Sequence, residues 1–423
     1  MSRQRPIPGS VKGYAHRKRR GAKYYYRGLE QNLLKVLLMK KQNIALIFSL
    51  IVITIILVAT YSKLRTDYIF PAEFERQQAV WLQWPEGQYM TGDQSVIPAF
   101  LSIIKALQPH IMVNIMSNSN DEIATIQSLL QENGSSGKNN ISYYIINHFS
   151  IWARDVGPFF VKNRANRLAV ADFGFNNYGK GASHNFIDVE SNIHKSVAKI
   201  LGIPLVPTEL ISEGGAVESN GNGTIMLTES VALNRNPKMT KAQIENEYKC
   251  VLGAKKVIWL KQGLAEDDLI TKGHIDEIAR FADSGTILLA QVLPDDAYTN
   301  STSYASYLRM EDNYDILRRS TDQNGRPFQI VRIPMPPTLY QVTDETGKIP
   351  VRSYLNFVVT NGAVLIPSYW HPGRSDRLKT VEDQVIKTFR SLFSGREVIA
   401  VNVESINFWG GGIHCVTQQM PAV

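Results

Sequence analysis

The sequence predicts an α/β protein in which residues 71–423 form one closed ring of five strand–strand–helix–strand modules, preceded by a single transmembrane helix. Two observations predict the ring. A hairpin pattern, a helical stretch and a short apolar strand recur with a period of roughly 55–75 residues, and the last hairpin lacks one of its two strands. A third observation, an uncharged run of twenty residues near the N-terminus, predicts the membrane helix.

The first 70 residues divide into three segments of different composition. Residues 1–42 form a basic arm, and its first 41 residues contain twelve Lys or Arg but only one acid, Glu30. Residues 43–62, which read NIALIFSLIVITIILVATYS, match the ~20 apolar residues that a helix needs to cross a bilayer. Residues 63–70 are interpreted as a linker. Because the basic residues precede the apolar run, we expect a cytoplasmic N-terminus and an extracytoplasmic catalytic domain, periplasmic or extracellular.

A start at Met39 is an alternative for the N-terminus, because the chain from there opens as a signal peptide does, MKKQNIALIF. The apolar run is longer than the ~7–15 residues of a signal-peptide core, and no small-residue cleavage site follows it. These features favour an uncleaved anchor over a cleaved, secreted form.

The net charge of +8 comes from the basic arm, since that arm carries +11 and the remaining residues therefore carry −3. We infer no nucleic-acid surface on the main domain. The chain has two cysteines, which excludes a disulfide framework. Cys250 falls in a predicted helix and is interpreted as a core residue, whereas Cys415 follows three glycines.

Strands and helices alternate directly after the linker. Ala79–Trp84 is a short apolar strand that Pro85 stops. Helical stretches are predicted over 95–107 and 121–133, with a strand over 111–116 between them.

The repeated cycle starts at residue 142. Its apolar strands cover 142–147, 204–210, 255–261, 328–336 and 396–403. A hairpin pattern follows each strand, and three hairpins contain the turn signals Asn220-Gly221, Ser284-Gly285 and Asn361-Gly362. The first four hairpins lead to helical stretches over 183–202, 238–253, 301–320 and 378–393.

The fifth hairpin has only one strand, within GGGIHCVTQQMP near the C-terminus. The early strand Ala79–Trp84 has no hairpin partner. Pairing of these two strands would close the ring and remove exposed sheet edges. The helices would then cover the outside, and the hairpin starts would face a central cavity.

Polar residues lie at the start of each hairpin. They are Trp152, Arg154 and Asp155; Glu213, Gly214 and Gly215; His274 and Asp276; Asn356; and His414 with Cys415. His274 and Asp276 are two residues apart, so on a strand both would point to the cavity. Each residue alone has a plain structural interpretation, such as a turn cap for Asp155. Their recurrence at equivalent places predicts one shared site.

Three chemistries fit this residue set. In the first, the Cys415 thiolate attacks a cationic carbon, Asp155 and Asp276 bind a guanidinium, and His274 helps to activate the thiol. In the second, His, Cys and Asp bind zinc, although no C-x-x-C or H-E-x-x-H spacing supports this. In the third, the cysteine acts on acyl groups, a chemistry that has no need for so many carboxylates.

The chain resembles the agmatine deiminase family, which includes the bacterial-type peptidylarginine deiminases. The matching motifs span residues 71–421 and occur in the family's order. They are PAEFERQQAVWLQWP, WARDVGPFFV, DFGFNNYG, EGGAVESNGNGT followed by LNRNP, GHIDEIARF, SYLNFVVTNGAVLIP and GGGIHCVTQQMP. The resemblance implies a five-bladed α/β propeller and hydrolysis of a guanidinium to a ureido group and ammonia, without a metal or organic cofactor.

The resemblance also implies residue roles. Cys415 is expected to be the nucleophile that forms a thiouronium, His274 the general acid and base, and Asp155 with Asp276 the ligands of the guanidinium. Asn356 lies where the family has a site-supporting asparagine. The further substrate-binding candidates are Trp152, Arg154, Glu213, Asn356 and Gly412.

Two positions, Glu218 and Glu277, depart from the motifs typical of agmatine-specific members. Both are expected to lie away from the catalytic set and to bear on the substrate tail. The predicted substrate is agmatine or a related arginine derivative. The alternatives are a peptide-borne arginine, transfer of the amidino group to an amine, and guanidinium binding without catalysis.

Overall fold

The computed structural model describes residues 27–29, 31–44, 46–54, 67–90, 92, 95–135, 140–337 and 350–423. The chain divides into two compact units, residues 1–63 and 64–423. The predicted linker over 63–70 therefore straddles this division, and the predicted catalytic domain falls within the second unit.

The first unit contains the helix α1 (Arg27–Thr54), which has a mean hydropathy of 1.8 over its most apolar window. By length and composition this helix is able to cross a membrane, and a signal sequence near an N-terminus has the same properties. The helix begins well before the predicted span over 43–62. Residues 45 and 55–62 of that span lie outside the described residues.

In the second unit, the described strands form five separate sheets. In the order of their hydrogen-bonded strands, the sheets are β17 (Thr417–Pro421), β2 (Gln77–Gln83), β3 (Met112–Ser117) and β4 (Ile141–Ile145); β1 (Tyr68–Ile69), β5 (Phe159–Asn163), β6 (Leu168–Gly174) and β7 (Leu205–Ile211); β10 (Lys256–Leu260), β9 (Thr224–Thr228) and β8 (Val217–Ser219); β11 (Ala279–Phe281), β12 (Thr286–Gln291) and β13 (Gln329–Pro334); and β14 (Val358–Val359), β15 (Ala363–Ser368) and β16 (Glu397–Asn402).

Helices connect these strands. They are α2 (Ile97–Leu107), α3 (Asn120–Glu132), α4 (Ala153–Val156), α5 (His184–Glu190), α6 (Ile193–Leu201), α7 (Glu229–Arg235), α8 (Lys241–Leu252), α9 (Pro294–Ala297), α10 (Ser301–Leu317), α11 (Asp376–Leu392) and α12 (Glu404–Phe408). Side-chain caps begin the longer ones; Thr240 and Gln243 form a capping box at the start of α8, for example. Cys250 lies in α8 and is a half-buried free thiol.

All five sheets share one pairing pattern. A hairpin supplies two antiparallel strands, and a helical connection returns the chain to a third strand that is parallel to the second. The predicted pairing of the chain ends is confirmed, because β17 is antiparallel to β2, with Thr417 opposite Leu82 and Gln419 opposite Val80.

The hydrophobic core lies between the sheets and their covering helices. In α11, Leu378, Val385 and Phe389 are fully buried against a cluster that includes Val364 and Ile366 of β15. Burial of a side chain of this kind stabilises the fold by about 1.5–3 kcal/mol. The helices therefore hold each sheet in place, and the hairpin starts are left to polar residues.

Candidate active site

The predicted site residues lie where the chain enters each hairpin, but several occupy short helical turns. Asp155 belongs to α4, and the residues from Ile275 to Glu277 form one turn of 3₁₀-helix. Our prediction that His274 and Asp276 lie on a strand is therefore wrong. The turn is fixed from below by Asp267, whose side chain accepts the backbone N–H of Gly273 at 3.0 Å and that of His274 at 3.1 Å.

Gly215 marks the point at which three of these side chains meet. A Cβ atom at this position would lie 2.6 Å from His274 Nδ1 and 3.0 Å from both Asp155 Oδ1 and Asp276 Oδ2. The backbone N–H of Gly215 donates to Asp155 Oδ1 at 3.1 Å. A glycine is required because any larger residue would enter the space that the three polar groups surround.

Cys415 is buried at the edge of this group. Its Sγ atom lies 3.7 Å from Asp276 Oδ2 and 3.8 Å from Glu277 Oε1. Asn356 donates from Nδ2 to the sulfur at 3.1 Å, while Asn356 Oδ1 accepts the backbone N–H of His414 at 2.9 Å. The amide of Asn356 thus fixes both the thiol and the segment that carries it.

The glycines before Cys415 permit close packing around the sulfur. A Cβ atom on Gly411 would lie 2.6 Å from the Trp152 ring and 3.0 Å from Cys415 Sγ, and one on Gly412 would lie 2.6 Å from Asn356 Oδ1. The half-buried indole of Trp152 is therefore the apolar surface nearest to the thiol.

His274 lies among carboxylates. Its Nε2 is 3.4 Å from Glu213 Oε2, and its Nδ1 is 3.8 Å from Asp155 Oδ1. Burial by itself lowers the pKa of His274, but the negative charges of Asp155 and Glu213 outweigh that effect and raise it to about 9. The imidazole is consequently a cation at neutral pH.

The acids around the sulfur do not share one protonation state. Burial raises the pKa of Asp155 to about 6, against the opposing effect of His274. Burial and the neighbouring Asp276 raise the pKa of Glu277 well above its ordinary value. Burial opposes ionisation of Asp276 as well, but its hydrogen bond with His414 lowers its pKa.

The thiol of Cys415 is held in its neutral form. Burial raises the pKa of Cys415 well above its ordinary value, and the negative charges of Asp276 and Glu277 add to that effect. A cation bound between these carboxylates would reverse the electrostatic part of this shift.

Three buried polar atoms around the sulfur have no hydrogen-bond partner among the described residues. They are His274 Nδ1, Asp276 Oδ1 and Glu277 Oε2. Buried polar groups in folded proteins are almost always hydrogen-bonded, so a cluster of exceptions calls for an explanation. Two acceptors and a ring nitrogen left open in one place fit a ligand rich in N–H donors.

A second charged group lies next to the first and is fully paired. Glu73 Oε2 accepts from His414 Nε2 at 2.7 Å, from Arg280 Nη2 at 3.0 Å and from Arg154 Nη2 at 3.4 Å. Arg280 also pairs with Glu218 at 3.1 Å. His414 Nδ1 lies 2.7 Å from Asp276 Oδ2, so His414 connects the two groups.

This arrangement changes the expected roles of two predicted residues. Arg154 donates to Glu73, to Gln419 and to the carbonyl of His414, which favours a supporting role over contact with a substrate. Glu213 pairs with Arg235 at 2.7 Å as well as with His274, so it orients the imidazole.

The expectation that both departures from the family motifs lie away from the catalytic set is wrong for Glu277, which reaches the sulfur. Sequence reasoning also left Glu73, Arg280 and Tyr178 without roles. Tyr178 donates from its hydroxyl to Asp155 Oδ2 at 3.0 Å. All three lie inside the motifs quoted above, which was the available signal.

A metal ion has one possible set of ligands in the described residues. Asp276, Glu277 and Cys415 each offer one ligand atom, and these atoms lie within 4.8 Å of one another. His274 is not part of this set, although the zinc alternative was framed around it. The same carboxylates suit an organic cation equally well.

The chain is similar to proteins of known family along most of its length. A family model described as Porphyromonas-type peptidyl-arginine deiminase matches residues 69–421. An agmatine deiminase of Medicago truncatula is 30% identical over 382 residues, which cover 84% of this chain and 96% of the relative.

Solved structures agree with this match. An agmatine deiminase of Enterococcus faecalis, described as catalyzing its reaction, has 27% identity and a TM-score of 0.72, and the match covers 85% of this chain and 97% of that one. The agmatine deiminase of C. jejuni has 21% identity and a TM-score of 0.67, with 84% and 96% covered, and supports the fold alone. The chain has the α/β fold of these structures.

Proposed function

The chain belongs to the Porphyromonas-type peptidyl-arginine deiminase family, and we propose on that premise that it hydrolyses a guanidinium substrate through a covalent adduct on Cys415. The enzyme class, a hydrolytic deiminase acting on a guanidino group, follows from the family and from its agmatine deiminase relatives. The proposal concerns the mechanism, the substrate and the residues that act.

One observation carries the proposal: the unpartnered atoms around the sulfur belong to groups that attract a donor-rich cation. Asp276 Oδ1 and Glu277 Oε2 are buried acceptors without donors. A guanidinium is planar, cationic and carries several N–H donors, so it pairs with carboxylates through two parallel hydrogen bonds. Bound there, its carbon would lie beside Cys415 Sγ.

The binding step also activates the nucleophile. The neighbouring acids hold the free thiol neutral, and a guanidinium placed between them neutralises their charge. The thiol proton then leaves more readily, and the thiolate attacks the electrophilic guanidinium carbon. The product of this step is a tetrahedral adduct with a new C–S bond.

His274 supplies the proton that the leaving group needs. A pKa of about 9 keeps its imidazole protonated at neutral pH, so it donates to a terminal nitrogen and ammonia departs, leaving a thiouronium on Cys415. The neutral imidazole then takes a proton from water, and the resulting hydroxide attacks the same carbon. Release of the ureido product restores the thiol and the protonated imidazole.

The substrate is proposed to be agmatine or a related small arginine derivative, since the relatives named above are agmatine deiminases. The description of the family model favours a second candidate, arginine within a peptide. Asp155 and Asp276 are assigned to the guanidinium in both cases. Trp152 is assigned to the substrate carbons, because its indole is the apolar surface beside the thiol.

We extend the proposal to the architecture and to the location of the enzyme. Five sheets with one shared pairing pattern support a five-bladed propeller, in which the hairpin entries surround the site. The length and composition of α1 support a single-pass anchor with the N-terminus in the cytoplasm and the catalytic domain, 71–423, on the other side. No metal or organic cofactor is assigned to the reaction.

The test is an assay of ammonia and ureido product on the full-length protein purified in detergent, with agmatine, free arginine and an arginine-containing peptide. We expect Cys415→Ala to abolish turnover, by roughly four orders of magnitude or more, while the guanidinium still binds. Ammonia release by Cys415→Ala at the wild-type rate would overturn the mechanism. Turnover of the peptide alone would establish the second candidate.

A further inference from the structure

Glu277 occupies a place that the proposed mechanism does not require. It follows Asp276 in the same turn of 3₁₀-helix, it is buried, and its Oε1 atom lies 3.8 Å from Cys415 Sγ. The turn is held from outside by Ser353, which donates from its hydroxyl to the Glu277 carbonyl at 2.7 Å. The backbone is therefore fixed, and the carboxyl group is directed to the sulfur.

The second carboxyl oxygen has no partner. Glu277 Oε2 is fully buried and accepts no hydrogen bond from any described residue. Leaving such an atom unpaired costs about 1–3 kcal/mol, more if the group is charged, so folded proteins rarely keep one without a function.

The protein supplies no cation for this carboxyl group among the described residues that surround it. Arg280, the nearest guanidinium that influences Glu277, is already paired with Glu218 and Glu73. His414 is shared between Glu73 and Asp276. The remaining neighbours of Glu277 are the acid Asp276 and the thiol Cys415.

We propose that Glu277 is a third substrate-binding carboxylate, which accepts an N–H of the bound guanidinium through Oε2 beside Asp155 and Asp276. This inference rests on the proposed function and adds a property to it, namely selection by charge. The substrate is a cation, whereas the ureido product is neutral. A third carboxylate strengthens binding of the first and leaves the second with a desolvated acid to face, so the product departs readily.

Protonation of the free site fits this role. Glu277 has a raised pKa for the reasons given above, so the empty site avoids a cluster of bare negative charges. Arrival of the cation makes the ionised form favourable, and the carboxylate then meets an N–H donor with full charge.

Alkylation of Cys415 by two reagents tests the proposal without requiring turnover. 2-Chloroacetamidine is a cationic amidine with donors like those of a guanidinium, and iodoacetamide is neutral. In both reactions the thiolate sulfur forms a bond to the CH₂ carbon, halide leaves with the bonding electrons, and the thiol proton passes to solvent. The ratio of the two rate constants reports selection for the cation.

The experiment uses the full-length protein and three variants. Glu277→Gln keeps the shape and removes the charge, Glu277→Asp keeps the charge on a shorter side chain, and Glu209→Gln removes an exposed carboxylate as a matched control. We expect Glu277→Gln to lower the amidine-to-iodoacetamide ratio by about tenfold or more, which is the scale of one charge-assisted hydrogen bond. Glu277→Asp should recover part of the ratio, and Glu209→Gln should leave it unchanged.

Two results would overturn the proposal. An unchanged ratio in Glu277→Gln would remove the residue from the cation site, and an equal fall in both rates would show that Glu277 only supports the position of the thiol. Turnover by the wild-type enzyme is measured separately on agmatine and arginine. Failure of that assay would refute the proposed function, and the alkylation ratio would still decide the role of Glu277.

Discussion

Two groups of buried charged residues lie side by side in the second unit. The sulfur cluster consists of Asp155, His274, Asp276, Glu277 and Cys415, and the supporting cluster consists of Glu73, Arg154, Glu218, Arg280 and His414. Both are withdrawn from solvent to a similar degree. They differ in charge balance and in the number of unpaired atoms.

The supporting cluster is balanced. Its two arginines face its two glutamates, and the carboxylate of Glu73 meets three cationic or polar partners. The sulfur cluster has three acids and a thiol against one imidazole, and three of its polar atoms lack partners. The first pattern is that of a structural element, whereas the second leaves charge that only a ligand neutralises.

The difference indicates how a protein keeps an acidic pocket inside a folded core. The charges that face the ligand are left unsatisfied, and the charges behind them are satisfied in full. His414 joins the two sets, because one ring nitrogen contacts Asp276 and the other contacts Glu73. We expect substitutions in the two clusters to change different properties of the protein.

The largest effect on stability is expected from Glu73→Gln. This change leaves Arg280 and Arg154 buried without their shared counter-charge, which typically costs about 3–5 kcal/mol in the free energy of unfolding. Urea unfolding of Glu73→Gln, beside Glu209→Gln as the exposed control, measures the loss. A loss no larger than that of the control would mean that the supporting cluster does not stabilise the fold.

Acid should reproduce part of this loss in the wild-type protein. Burial opposes ionisation of Glu73, but Arg280 and His414 outweigh burial and hold its pKa below its ordinary value of 4.5. A depressed pKa of this kind contributes stability that is present above pH ~4.5 and is lost as the pH falls. Glu73→Gln should lack this contribution.

Asp276→Asn should weaken substrate binding by about a hundredfold, or about 3 kcal/mol, and lower turnover as well. The change removes a charge from an acceptor that has no partner within the described protein. Calorimetric titration with agmatine or arginine measures the first effect and steady-state kinetics the second. Asp283→Asn, an exposed change in the same hairpin, is the control, and equal affinities of the two variants would exclude Asp276 from the guanidinium site.

The value of kcat/KM should depend on pH as a bell. The sulfur cluster needs Asp155 ionised and His274 protonated, and their pKa values are about 6 and about 9. Activity therefore rises as the pH increases through about 6 and falls as it increases through about 9, with a limiting slope of about tenfold per pH unit on each side. A profile that keeps rising above pH 10 would contradict a protonated His274.

The smallest effect is expected from Glu277→Gln on stability, and it has the opposite sign to that of Glu73→Gln. A raised pKa means that folded Glu277 retains a proton that the unfolded chain releases above its ordinary value of 4.5. That difference disfavours folding at pH 7 and vanishes below pH ~4. We expect Glu277→Gln to raise the free energy of unfolding by about 1 kcal/mol at pH 7 and not at pH 4. A loss of stability at pH 7 would place Glu277 with the supporting cluster.

Much of the fold was predictable because its signals are local. Apolar periodicity and turn residues predicted the strands that became β4, β7, β10, β13 and β16 within one or two residues at most ends. The pairing of β17 with β2 was predictable for a different reason, since each was the one strand left without a neighbour. The short turns that carry Asp155 and Asp276 were not predicted, because three or four residues show no periodicity.

The site was predictable in part. The repeat placed Cys415, His274, Asp155 and Asp276 at equivalent positions, and the structure brings all four around Gly215 and the sulfur. Arg154 is equivalent in sequence position to these residues, yet its side chain belongs to the supporting cluster. Which way a side chain points inside a turn depends on neighbours from other modules, and a sequence pattern does not contain that information.

The sequence by itself determined the family, the order of the modules, the apolar N-terminal segment and the residue types needed for guanidinium chemistry. Tertiary structure decided which charges are paired and which are left open. Glu73 and His414 are 341 residues apart and share a hydrogen bond of 2.7 Å, while Glu277 lies next to Asp276 in the chain and lacks a partner for one oxygen. The physical reason is that burial and hydrogen bonding depend on distances in space, which closure of the ring sets and the spacing of residues along the chain does not.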